Sequence, residues 1–146
     1  MTAVWGSVAT SLTVTGAGAD VQAVERALDP VRAAAEERPG MSVRYGPDEW
    51  TFTVDALFSA DPDEQIAALA ALVEPRIDRI GDLARSGCLV RIDVSGTVGT
   101  RERLVFSARS AERLAALGLP LSFTTLMKDG IPSEDPPAWL DPPRSS

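Results

Sequence analysis

The chain has no histidine and one cysteine, Cys88. Those two counts alone exclude a histidine-dependent triad, a histidine-rich metal centre, an intramolecular disulfide and a multi-cysteine zinc site. Lysine is almost as scarce: Lys128 stands alone against 13 arginines. A Schiff base or Ser-Lys dyad would need that one lysine, which sits at the edge of the patterned sequence, where the burial that strips a lysine of its proton is not expected. No apolar run approaches the ~18–20 residues that span a bilayer. The opening Met1-Thr2-Ala3-Val4-Trp5-Gly6 lacks the basic and apolar regions of a secretory signal, so a cytoplasmic location is expected. Positive charge is short as well. A formal net charge of −7 repels phosphate backbones and anionic lipid, so neither a nucleic-acid nor a membrane partner is expected.

What is present suits one foldable domain: 146 residues, 45% hydrophobic and 24% charged. Residues 7–15 alternate Val8, Leu12 and Val14 with Ala9, Ser11 and Thr13, the period of a half-buried strand. Gly16-Ala17-Gly18-Ala19 breaks it, and Asp20 is placed to cap a helix on Val21, Val24 and Leu28 that ends by Pro30 or continues past it. Residues 31–41 read as a frayed helix and a loop, punctuated by Glu37-Arg38-Pro39-Gly40. Residues 50–56 alternate again, with Trp50, Phe52, Val54 and Ala56 on one side and Thr51, Thr53 and Asp55 on the other. Asp61 as N-cap, Pro62 at the first position and Glu64 as capping-box partner open a helix. Its stripe of Ile66, Leu69, Val73, Ile77, Ile80 and Ala84 is interrupted by Pro75, which kinks or splits it.

Residues 89–95 and 101–107 read as the two strands of a hairpin around Gly96-Thr97-Val98-Gly99. Ser110 is expected to cap a short helix holding Leu114 and Leu117, with Gly118 at its end. A last strand over 119–127 is anchored by Leu121 and Phe123. Residues 1–128 are thus expected to form a single domain. Residues 129–146, with five prolines, four acids and no periodic pattern, are expected to form a disordered tail. Because most strands have one apolar and one polar face, the predicted fold is α+β in two layers: a mostly antiparallel sheet with helices packed on one face. The other face would present Ser11, Thr13, Thr51, Thr53, Asp55, Arg91, Asp93, Arg101, Arg103, Ser122 and Thr124, either as a binding surface or as an ordinary solvated one.

The order of these segments resembles the bacterial family called domain of unknown function 4279. The likeness lies in Leu12-Thr13-Val14-Thr15-Gly16, the helix on Val21, Val24 and Leu28, the strand led by Trp50, the helix containing Leu72-Val73-Glu74-Pro75, and Leu114-Ala115-Ala116-Leu117-Gly118-Leu119 before a final strand. Two stretches depart from the family pattern: Leu28-Asp29-Pro30 replaces a Leu-Gly-x-x-Pro turn, and Phe123-Thr124-Thr125-Leu126 replaces a strand that often carries Asp and Tyr. The resemblance implies little chemistry. Some small bacterial proteins similar to this family are thought to act as immunity proteins beside toxins, which implies a protein-binding role.

Individual residues offer few reactive sites. Gly16-Ala17-Gly18 lacks the third glycine of a phosphate loop and carries Asp20 where an anion would dock. Asp61, Asp63 and Glu64 are accounted for by helix capping. Cys88 has no histidine to activate it and reads as a structural thiol. Between Cys88 and Lys128 six basic residues face three acids, and the hairpin pattern would set Arg101 and Arg103 beside Arg91 as a forked-donor patch for carboxylates. Pro136-Pro137-Ala138-Trp139-Leu140 offers Trp139 as a lone aromatic anchor. The chain is therefore expected to be a non-catalytic binding protein without cofactor or metal, with Arg91, Arg101, Arg103, Thr51, Thr53, Asp55 and Trp139 as its candidate interaction surface. Its expected partner is another protein, such as a basic toxin, and self-association through the sheet is open. A small-molecule or peptide binder using the polar sheet face is the alternative.

Overall fold

A computed structural model describes residues 6–16, 21–99 and 101–127. Five strands, β1 (Gly6–Thr15), β2 (Met41–Gly46), β3 (Glu49–Val54), β4 (Leu89–Val98) and β5 (Leu121–Met127), form one sheet in the order β2-β3-β1-β4-β5. Three of the four pairings are antiparallel and β4–β5 is parallel. The helices are α1 (Val21–Glu37), α2 (Pro62–Val73), α3 (Ile77–Arg85) and α4 (Ala108–Leu117). This is the α+β arrangement that the one-sided strands predict.

The core lies between the sheet's apolar face and the helices. Leu12, Val14, Trp50, Phe52, Val54, Val90 and Ile92 meet Val24, Leu28, Val31, Ile66, Leu69, Val73 and Ile80. Each fully buried side chain of this size contributes about 1.5–3 kcal/mol. Among the described residues Gln65 is the one large polar side chain inside. Its amide nitrogen donates to the carbonyls of Val8 (2.6 Å) and Ser59 (2.7 Å), and its carbonyl accepts from the Thr10 hydroxyl at 3.1 Å. These three bonds tie β1, α2 and the loop before α2 together and replace the water each group gives up.

The helix boundaries follow local chemistry. The carboxylate of Asp61 accepts the amide of Asp63 at 2.9 Å, with Pro62 opening α2. Glu64 reaches the Ser59 hydroxyl (2.7 Å), which in turn accepts the Asp61 amide (3.1 Å), so the capping box runs through a serine relay. Pro75 splits the stripe: a 3₁₀ turn over Glu74–Arg76 separates α2 from α3, and Ile80 and Leu83 return to the core. In α1 the chain passes Pro30 with a kink at Leu28, whose φ of −118° and ψ of 18° leave the helical range.

Three expectations need correction. The loop expected at the end of residues 31–41 gives way at Met41 to β2, an unexpected strand over Met41–Gly46 that forms one edge of the sheet. The hairpin is not formed: β4 runs unbroken through Gly96-Thr97-Val98 because β1 and β5 flank it on both sides. Arg101 lies in a turn at φ +61°, and only an isolated bridge at residue 103 survives of the expected strand. Finally, Ser107 rather than Ser110 caps α4, accepting the Ser110 amide at 3.1 Å. Asp20, Lys128 and the segment 129–146 lie outside the described residues.

Candidate functional site: the open face of the sheet

The helices pack against one side of the sheet, and no described element covers the other. There Ser42 and Arg44 are exposed, Ser11, Thr51, Thr53, Arg91, Asp93 and Ser122 half-buried, and Thr13 buried among its neighbours on the central strand. Ladder partners share a face, and the register therefore builds this surface row by row. One row runs Ser42, Thr53, Ser11, Asp93 and Ser122 across all five strands. The next runs Arg44, Thr51, Thr13 and Arg91 across β2, β3, β1 and β4.

Many of the polar groups satisfy one another. The hydroxyls of Ser11 and Thr53 are hydrogen-bonded at 3.0 Å, and Thr51 donates to Glu49 at 3.1 Å. Asp93 accepts from Ser122 (2.7 Å) and Thr124 (2.9 Å), pinning β5 to β4 on the solvent side. The two arginines of the second row differ. Neither Arg44 nor Arg91 has an ion-pair partner among the described residues. With strands ≈4.8 Å apart, three strand steps put their backbones roughly 14 Å from each other. Two guanidinium forks thus flank a floor of threonines, an arrangement suited to carboxylates or backbone carbonyls of an extended or protein partner.

Of the residues expected at the interaction surface, Arg91, Thr51 and Thr53 share this face. Asp55 sits just beyond β3 and closes a turn, accepting the Leu57 amide at 2.9 Å. Arg101 and Arg103 lie on the connection after β4, away from the ladder that would have paired them with Arg91. Trp139 lies outside the described residues. Sequence reasoning missed Arg44 and Ser42 because it missed β2, although Met41-Ser42-Val43-Arg44-Tyr45 alternates and Gly46-Pro47 ends it, a strand signal in plain view.

Elsewhere the titratable groups act structurally. Asp63 accepts the Ser107 amide and the Ser110 hydroxyl, both at 2.7 Å, joining the first turn of α2 to the start of α4. The hydroxyl of Ser110 and then the amide of Ser107 hold its carboxyl below the ordinary aspartate value. Arg32 lies over the Tyr45 ring at 5.0 Å while pairing with Glu25 at 2.9 Å. Cys88 is half-buried against the core. The grooves between α1 and α3, lined by Gln22, Glu25, Arg26, Asp29 and Arg79, are shallow. No cluster of metal-ligating side chains occurs among the described residues, and no helix there is long and apolar enough to cross a membrane.

A two-layer α+β arrangement whose polar sheet face is covered by no described element is the class that fold and surface define. The model of the family Domain of unknown function (DUF4279) matches residues 8–128, and the chain belongs to that family. No curated protein and no solved structure matches it significantly.

Proposed function

We propose that this is a non-catalytic, cytoplasmic protein-binding domain that docks another protein on the open face of its sheet. The observation that carries the reading is the Arg44-Thr51-Thr13-Arg91 row: two guanidinium groups without ion-pair partners among the described residues, held at fixed spacing on a rigid sheet. The sharper form of the reading is an immunity-type protein that neutralises a basic toxin. The net charge of −7 supports it, since an acidic inhibitor gains on-rate towards a basic partner by steering. Steering acts at long range, whereas Arg44 and Arg91 would set register on the partner's carboxylates.

Capture of the tagged chain's partner at low and moderate salt, followed by reconstitution from purified components, tests this. The expected result is a stoichiometric complex with a basic protein, weakened by salt. A binding-competent chain that retains no protein at either salt contradicts it. A small ligand carried through purification would favour the second reading, a carboxylate-bearing small molecule or peptide held between the same two arginines.

A further inference from the structure

The two edges of the sheet are unlike. At the β2 edge, Arg44 puts a charge on the strand, Arg32 stacks on Tyr45, and Gly46-Pro47 ends the strand. Charge and proline at an edge block further pairing. The β5 edge has neither: Leu-Ser-Phe-Thr-Thr-Leu-Met contains no charge and no proline, and no strand among the described residues pairs its outer side. Its apolar side chains are not buried. Leu121, Phe123, Leu126 and Met127, with Val105 near by in sequence to Phe106, are 41–65% exposed. Phe106 stacks on Phe123 with ring centroids 6.5 Å apart, which brings the connection before α4 against the helix side of β5.

The exposed groups lie on both faces. By the β4–β5 register, Leu121 and Phe123 share the side of Ile92 and Val94, whereas Leu126 shares the side of Thr97. A helix laid on one face would cover only part of this surface. A further strand covers both, since its own side chains alternate beside those of β5. We propose that the β5 edge is a self-association surface, where two copies of this chain pair β5 antiparallel about a two-fold axis near Thr124. Leu121 of one copy then faces Met127 of the other on the helix side, where Phe123 faces Thr125, while on the open side Thr124 faces its own copy and Leu126 lies opposite Ser122.

The area is adequate for a modest dimer. The four half-exposed apolar side chains of β5 offer roughly 400 Å² per copy. With the strand backbone, two copies bury on the order of 1,000 Å², the lower bound for a specific interface. The two-fold pairing also closes the assembly. Pairing β5 to β2 would be head-to-tail and would continue into filaments, and the charged β2 edge opposes it.

Sedimentation of the full chain across a concentration series, with Leu126→Arg and Phe123→Arg beside it, tests the proposal. The expected species is twice the 15.5 kDa chain, and each substitution is expected to weaken association by about tenfold or more, because the two-fold brings two new cations, one from each copy, to an edge that carries no charge. Leu126 is 65% exposed and lies on the face away from Ile92 and Val94, so its variant is expected to keep the wild-type circular dichroism and tests the interface even if the Phe123 variant unfolds. A chain that stays monomeric at every concentration overturns the proposal, as does a dimer indifferent to Leu126→Arg. A monomer that dimerises only after residues 129–146 are removed also overturns it, because the edge would then be covered by the chain's own segment.

Discussion

Gln65 and Asp63 are neighbours on α2 with opposite environments, and each joins elements distant in sequence. Gln65 is fully buried and serves Thr10, Val8 and Ser59. Gln65→Leu keeps the bulk but leaves a hydroxyl and two carbonyls without partners, so a loss of about 2–3 kcal/mol is expected in chemical denaturation. Asp63 holds the Ser107 amide and the Ser110 hydroxyl, and its pKa lies below the ordinary value. A depressed carboxyl contributes stability above its unfolded pKa of about 3.9 and loses it as pH falls through its lower folded value. Asp63→Ala is therefore expected to lower the melting temperature at neutral pH, with the gap to wild type closing in strong acid; a constant gap across pH would contradict the role. Neither role was legible beforehand. Gln65 reads as a solvated helix residue and Thr10 as one more strand threonine, because hydrogen bonds between distant elements leave no periodic trace, and Asp63 is hidden among capping acids.

At the scale of elements, two glycines with left-handed backbone separate conformational cost from steric cost. Gly118 ends α4 at φ +69° with open space where a side chain would stand, so Gly118→Ala is expected to cost about 1–2 kcal/mol. Gly40, at φ +81° between α1 and β2, would place a Cβ 2.0 Å from the backbone nitrogen of Phe58. Because backbone must move, Gly40→Ala is expected to cost about 3 kcal/mol or more. Thermal melts of the pair should rank them in that order; equal losses would contradict the close approach. Elements with long stripes or strict alternation were legible: β1, β3, α2 and the break at Pro75. β2 was lost beside an alanine-rich stretch that reads as fraying helix. The false hairpin arose because Gly96 and Gly99 mimic a turn, whereas β5, far along the chain, supplies the neighbour that keeps β4 extended. Leu121 and Phe123 read as anchors and are half-exposed instead, since strand alternation shows a face but not whether anything covers it.

For the molecule as a whole, the consequence of one-sided packing is a sheet with a polar face open to solvent and a β5 edge without charge. The predicted α+β layers were legible from the strands' two-faced pattern, as was the placement of Arg91, Thr51 and Thr53 on one surface. Arg101 and Arg103 dropped out with the hairpin, and Arg44 entered with β2. The central claim is that the open face binds a protein partner, and titration calorimetry of the reconstituted complex with an Arg44→Glu/Arg91→Glu chain tests it most directly. The double substitution makes the chain more acidic, so long-range steering towards a basic partner alone would hold or raise the affinity. The expected result is a loss of about tenfold or more at unchanged fold, because the forked donors become repelling carboxylates. Affinity equal to or above that of the wild type would contradict docking on this face.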